Sequence, residues 1–559
     1  MKKTLLTLLL VLFMGGFVWS QEGQYLRFTI EKHSELERIT RMISIDKVVG
    51  DTVFAYARPD QLESFQQQTP YSITLLPLPR GEKVGLKMAA SPLSDGRWDR
   101  YPTYGGYLRM MDSLASTWPD LCRLDTIGLS AEGRWLLAMR ITDNPHNQED
   151  EPELFYTSTI HGDETAGYVL MLRLMDTLLS SYGNDQRLSR LVSELDIYIN
   201  PNANPDGTYA DGNQSVAGAT RNNANGVDLN RNFPDPEDGP HPDGRSWQPE
   251  TLAMMNFAEE HRITLSANFH GGTEVANYPW DTWSRPHPDS TWFKHLSTVY
   301  AQSAQQNSPA GYFTSITSSG IINGYDWYTI SGGRQDYMTW FQQAREVTLE
   351  ISDTKLPPGG ALLDLWDYNH EAMLRYMEEC LYGIRGIVTD SAGNPLQAMV
   401  VVEEHDTKRD SSMVYTDPAV GNYHRLIAEG IYDLRFSAEG YEDVVVEGVE
   451  ATRGEATRVD VVMHREDTLE YEADWHVYPN PFRDVLYLET DLDETPGSFL
   501  VELFDVQGRL IITKEIQGMG PGRHRFRLSY GKQKLPAGPL YLVIHTNKGR
   551  IVRKVMHLR

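Results

Sequence analysis

Cysteine is nearly absent from this chain: Cys122 and Cys380 are the two in 559 residues. That excludes a disulfide-stapled scaffold and a cysteine-built zinc site, and leaves at most one pairing between the two. After the N-terminal twenty residues, no stretch is long and apolar enough to span a bilayer. Positive charge is in deficit: the net charge of −26 argues against a nucleic-acid partner. Neither a repeat of fixed period nor a low-complexity segment is found.

What is present suits a large folded protein. Hydrophobic residues make up 40% and charged residues 23%, and the length suggests roughly three to five domains. Residues 1–20 read as a signal peptide. Lys2 and Lys3 give the positive start, Leu5–Phe13 the short apolar run, and Val18 and Ser20 the small residues before cleavage at Gln21. The run is too short for a transmembrane anchor. Charge is uneven along the chain. Residues 496–559 hold twelve Lys/Arg against three Asp/Glu, which marks a separate module at the C-terminus.

The pattern divides the chain into five mature segments. Residues 21–80 read as a small α/β unit, with strands at Tyr25–Ile30, Thr52–Ala57 and Tyr71–Leu76 and helical stretches between them. Residues 81–97, rich in Gly, Pro, Ser and Lys, read as a linker; Arg80, Lys83 and Lys87 make it a candidate processing site and the preceding unit a possible pro-domain. Residues 98–382 alternate helix and buried strand, for example Tyr104–Trp118, Trp135–Ile141, Glu153–Ile160 and Ile263–Phe269. That alternation predicts an α/β domain built on a mixed, largely parallel sheet flanked by helices. Residues 383–465 and 466–559 show short strands punctuated by turn residues, which predicts two small β-sandwiches.

The chemistry concentrates in the α/β block. A catalytic zinc takes about three nitrogen or oxygen ligands and keeps one position open. His161 and Glu164, in Thr-Ile-His161-Gly-Asp-Glu164-Thr, lie where a strand ends and a helix begins; His270 ends the strand Ile263–Phe269 and precedes two glycines. Ligands collect at the carboxyl ends of strands in such sheets. Each motif alone is equally a polar surface turn; together they fit one metal.

With these two motifs stand Asn200-Pro-Asn-Ala-Asn-Pro-Asp-Gly, Arg221-Asn-Asn-Ala-Asn-Gly-Val-Asp-Leu-Asn-Arg231-Asn-Phe-Pro-Asp, Gly320-Ile-Ile-Asn-Gly-Tyr-Asp-Trp-Tyr328, Gly332-Gly-Arg-Gln-Asp and Glu346-Val-Thr-Leu-Glu350-Ile-Ser, in that order over about 100–380. In them the chain resembles the zinc metallocarboxypeptidases, particularly the N/E-type subfamily acting on basic residues. The resemblance implies one Zn2+ on His161, Glu164 and His270, Glu350 as proton shuttle, Arg221 polarising the scissile carbonyl, Asn230 and Arg231 holding the terminal carboxylate, and Tyr328 closing over substrate. It implies Asp281 and Gln335 as the pocket for a basic side chain. Spacing alone cannot choose between Glu346 and Glu350, which project to one strand face. Arg334 and Glu274 depart from the pattern: the first is expected to reshape the pocket, the second to add negative charge near His270.

Residues 383–465 resemble the transthyretin-like module that follows the catalytic domain in this subfamily. The C-terminal segment, opening on Tyr478-Pro-Asn-Pro-Phe, resembles the sorting domain of the bacterial type IX secretion route. The expectation is therefore a secreted or cell-surface zinc carboxypeptidase, exported across an outer membrane by that machinery. It would release Lys or Arg from peptide and protein C-termini, with no nucleic acid and no transmembrane segment. Two other readings share the motifs: a non-catalytic binding protein on the same scaffold, and a zinc amidase acting on cell-wall peptides.

Overall fold

The computed structural model describes residues 23–78, 86–90, 96–465, 475–492, 497–519, 521–529, 535–546 and 549–558. The stretch read as a signal peptide and the candidate cleavage residues Arg80 and Lys83 lie outside the described residues. The chain forms two compact units, one spanning the chain to Met463 apart from residues 440–442, the other taking those three and the remainder.

The first strands make a four-stranded sheet in the order β2-β3-β1-β4, where β1 is Gln24–Thr29, β2 Ser44–Val49, β3 Thr52–Ala57 and β4 Thr74–Leu76. Its apolar face, with Leu26, Phe28, Ile45 and Val53, shares one core with Phe65 of the helix Pro59–Gln68 and with Val275, Trp327, Tyr328 and Ile330 of the next domain. The stretch read as a linker is partly structured: β5 (Met88–Ala89) pairs in parallel with β6 (Tyr101–Pro102), and Lys87 pairs with Asp99 at 2.5 Å.

The central sheet has eight strands: β7 (Cys122–Leu129), β8 (Trp135–Ile141), β9 (Glu153–Ser158), β10 (Asp196–Asn200), β11 (Ile263–His270), β12 (Thr273–Tyr278), β13 (Ile321–Asn323) and β14 (Arg345–Ser352), in the order β13-β12-β14-β11-β9-β10-β8-β7. The β10-β9-β11-β14 centre is parallel and the flanks include antiparallel pairs, so the sheet is mixed as expected. β9 is buried at every residue, which is why it reads as an unbroken apolar run rather than an alternation. Its side chains still divide by face. Leu154 and Tyr156 pack with the helices Tyr104–Thr117, Ala166–Ser181, Ser290–Gln306 and Gly359–Glu378, while Phe155 packs with Pro249–Glu260 and the helix Arg334–Phe341.

Residues 383–463 form two facing four-stranded sheets. They are tied to the α/β domain by a buried charge cluster: Arg425 and Arg345 both reach Asp289 at 2.8 Å, and Arg425 also meets Asp406 at 2.7 Å. The second unit is a sandwich of three- and four-stranded sheets around Leu488, Val501, Leu542 and Ile544. Cys122 and Cys380 are both free and buried. Among the described residues, no helix is long and apolar enough to cross a membrane.

Candidate active site

Parallel pairing brings the candidate groups to one edge of the sheet. β11 and β14 place His270 directly beside Glu350. β9 ends at Ser158, and Thr159, held at φ 64°, turns the chain toward His161. His161 Nδ1 lies 3.0 Å from Glu164 Oε1, His270 Nδ1 lies 2.8 Å from Glu164 Oε2, and the two Nδ1 atoms are 3.2 Å apart. All three side chains are buried. Two imidazole nitrogens and a carboxylate converging on one point, at close to the ~3.3 Å donor separation of a tetrahedral ion, match the donor set of zinc. The far ring nitrogens are held by neighbours, His161 Nε2 by Asp228 Oδ1 at 3.1 Å and His270 Nε2 by the Asn268 amide at 2.9 Å. Such contacts orient histidine ligands. Burial pushes the His270 imidazole down to about 4 despite Glu164 beside it, so it is neutral, the form a metal needs.

Glu350 and Glu346 share a strand face but not an environment. Glu346 is bound to Arg334 Nη2 at 3.0 Å and accepts the Ser266 hydroxyl at 2.6 Å. Glu350 is half-buried with an unpartnered Oε2, and desolvation together with the Glu164 charge holds its carboxyl well above the usual range. A carboxyl poised to hold a proton beside the metal donors is placed for acid–base work.

Arg221 donates from Nε to Asp228 at 3.0 Å, while its Nη1 meets His161 Nδ1 at 3.2 Å and Glu164 at 3.4 Å. Arg231 and Asn230 lie together in a short helical turn; Arg231 donates to the Asn230 and Ile45 carbonyls, and Asn230 Oδ1 accepts the Arg334 amide. Gly332 is locked in place. It sits at φ 72°, a Cβ there would stand 2.4 Å from the Arg231 carbonyl, and its amide is held by Asp235. Tyr328 is buried in the core shared with the N-terminal sheet.

Asp281 lies buried between Asn277 Nδ2 and Gln335 Nε2, each donating to its Oδ1 at 3.0 Å. Burial, with Asp336 close by, drives its carboxyl well above the ordinary range. Asp336 accepts the Asp281 and Thr282 amides and is itself pushed up to about 7, chiefly by burial. A charge so poorly solvated is best relieved by an incoming cation. The two departures from the pattern lie elsewhere. Arg334 turns to Glu346, Thr157 and the Phe155 ring, and Glu274 turns away from His270 to accept the Phe313 amide at 2.9 Å.

Eight of the ten sequence candidates line one cleft; Asp281 and Gln335 lie behind its wall, meeting the lining residues Asn277 and Thr348. Sequence reasoning missed Asp228, the anchor of His161 and Arg221, although it stands inside the Arg221–Arg231 string. It also missed Asp46 and Lys355, whose side chains meet in the cleft at 2.6 Å from 309 residues apart in sequence.

Three family profiles match successive parts of the chain. The family profile described as zinc carboxypeptidase matches residues 107–372, that of the carboxypeptidase regulatory-like domain 383–464, and that of the secretion system C-terminal sorting domain 476–557. Carboxypeptidase N catalytic chain of Rattus norvegicus is 34% identical over 406 residues, covering 66% of this chain and 87% of that protein. Its Homo sapiens counterpart is 35% identical, covering 62% and 82%. Carboxypeptidase M of Mus musculus is 34% identical, covering 61% and 79%.

Proposed function

The chain belongs to the zinc carboxypeptidase family, and from that premise we propose that it releases a single C-terminal Lys or Arg from peptides and proteins. The observation carrying the basic preference is Asp281: a buried acidic group between two amide donors just behind the cleft wall at Asn277, with no ion-pair partner among the described residues. An apolar or acidic end would leave that group unpaired or repelled.

His161, Glu164 and His270 would hold the zinc. When bound, the ion supplies a Lewis acid and a water whose pKa falls to about 7. Arg231 and Asn230 grip the terminal carboxylate; the planar guanidinium suits a bidentate contact. The Arg221 guanidinium is aimed at the oxygen of the scissile carbonyl and stabilises charge developing there. Glu350 takes the proton of the attacking water and returns it to the leaving amine. Tyr328, its phenol kept protonated by burial, donates over the bound residue once the groove opens.

The same reading extends to both ends. Residues 21–80 act as a pro-domain, since β2 runs across the groove that a substrate would use. The tail would direct export by the type IX machinery across the outer membrane, leaving the enzyme outside or at the surface.

Matched peptides ending in Lys, Arg, Leu or Glu, with and without a zinc chelator, test the substrate reading. Chelator-sensitive release of Lys and Arg alone is expected. Release of Leu or Glu at equal rates refutes the Asp281 pocket while keeping the zinc chemistry.

A further inference from the structure

The N-terminal strand β2 does more than cover the cleft: it displays what the cleft binds. Ile45 gives its carbonyl to Arg231 Nη2 at 3.1 Å, and the next residue, Asp46, sets its carboxylate 2.6 Å from Lys355 Nζ and 3.5 Å from Arg221 Nη1. The Tyr25 hydroxyl donates to its other oxygen at 3.0 Å. Asp46 is almost fully buried, yet Lys355 and Arg221 outweigh the burial and hold its carboxyl below the usual range. The cation pair is therefore a built carboxylate site, filled by a residue of the chain itself.

Lys355 belongs to the catalytic domain and its position is fixed from below. Its carbonyl accepts the Thr165 amide at 2.9 Å, and its stem passes the bare Gly272, where a Cβ would lie 3.1 Å from Lys355 Cε. Its remaining acidic neighbours are Glu164 at 3.2 Å and Asp163 at 4.0 Å. Glu164 is the group the zinc would engage, so departure of the N-terminal segment removes Asp46 and the Tyr56 ring and leaves Lys355 facing the groove with Asp163 alone. The direction of the groove follows from the same two contacts. A terminal carboxylate sits at Arg231; Lys355 is met at Glu164, toward the reacting carbonyl. The side chain within its reach is that of the residue preceding the one released.

We infer that Lys355, with Arg221, forms a subsite that selects Asp or Glu as the penultimate residue of the substrate. Resting on the reading of the enzyme as a carboxypeptidase for basic ends, this narrows the substrate to termini in which an acidic residue precedes Lys or Arg. Asp46 is the internal stand-in for that acidic side chain.

The test is a binding panel on the zinc-loaded full chain carrying Asp46→Ala, to free the site, and Glu350→Gln, to stop turnover. Acetylated dipeptides Glu-Lys, Ala-Lys, Glu-Leu and Ala-Leu are titrated by calorimetry. Glu is expected to bind about tenfold tighter than Ala at the penultimate place, the size of one charge-assisted hydrogen bond net of hydration. Adding Lys355→Met is expected to erase that ratio. Equal affinity for Glu and Ala, or a ratio that survives Lys355→Met, overturns the subsite. The Lys-to-Leu ratio in the same titrations reports separately on the Asp281 pocket. A loss of that ratio alone refutes the basic-end reading and leaves the subsite standing.

Discussion

At the scale of single residues, the partners of a side chain separate chemistry from architecture. Glu346 and Glu350 have the same type, strand and face, though Glu346 is fully buried and Glu350 half-buried. Glu346 is paired with Arg334; Glu350 stands directly beside His270 in the sheet register. Glu350→Gln is therefore expected to lower kcat by about 10²–10⁴ while zinc content and dipeptide binding persist. Metal analysis and single-turnover kinetics check this, and retained turnover would remove the proton-shuttle role. Glu346→Gln should do the opposite. It strands the Arg334 guanidinium in the core and costs about 3–5 kcal/mol of stability, seen in denaturant unfolding, with the chemical step unchanged. Asp281→Asn keeps the shape of the pocket and removes its charge, so Lys over Leu selectivity in kcat/KM is expected to fall by more than about tenfold.

At the scale of elements, Trp135–Ile141 and Thr52–Ala57 match the sequence reading to the residue because apolar, β-branched and aromatic runs with clear ends mark them. The candidate zinc donors were legible for a local reason: His270 ends β11, and His161 and Glu164 lie in the short turn between β9 and the helix Ala166–Ser181. The Gly332–Gln335 stretch was legible as a motif, but its immobility was not, because the constraint comes from the distant Arg231 carbonyl. The Asp289 cluster was invisible for the same cause: Arg345 and Arg425 are remote in sequence and meet only through packing. Asp289 is fully buried, yet the two arginines hold its carboxyl far below the usual range. With a folded pKa below the unfolded one, its contribution to stability is present above about pH 4. It is lost as pH falls through the folded value. Asp289→Ala leaves two buried guanidinium groups short of a counter-ion and is expected to cost about 3–5 kcal/mol at neutral pH. The regulatory-like sandwich should become protease-sensitive before the α/β domain does. A variant that melts with the wild type would show that the cluster does not join the two.

At the scale of the whole molecule, the N-terminal sheet occupies the working surface of the catalytic domain. Ile45 stands on Arg231, the proposed carboxylate anchor, Asp46 on Lys355 and Arg221 beside the candidate metal donors, and Ser44 donates to Asp228 at 2.5 Å. The shared core of Leu26, Phe28, Ile45, Tyr328 and Trp327 is the kind of apolar contact that survives a cut in the connecting chain. Cleavage within residues 81–97 should therefore leave the segment bound at first, with activity rising only as it dissociates. If the groove is open in about one molecule in a hundred, the intact chain shows about a hundredth of the freed rate, since apparent affinity scales with the competent fraction. Size-exclusion chromatography of the nicked protein, run beside the rate on a Lys-ended peptide, follows both events. A hundredfold rise tracking loss of the N-terminal fragment is expected, and Asp46→Ala should reach part of it without any cut. Full activity in the intact chain would mean that β2 leaves the groove freely, and that residues 21–80 serve folding rather than latency.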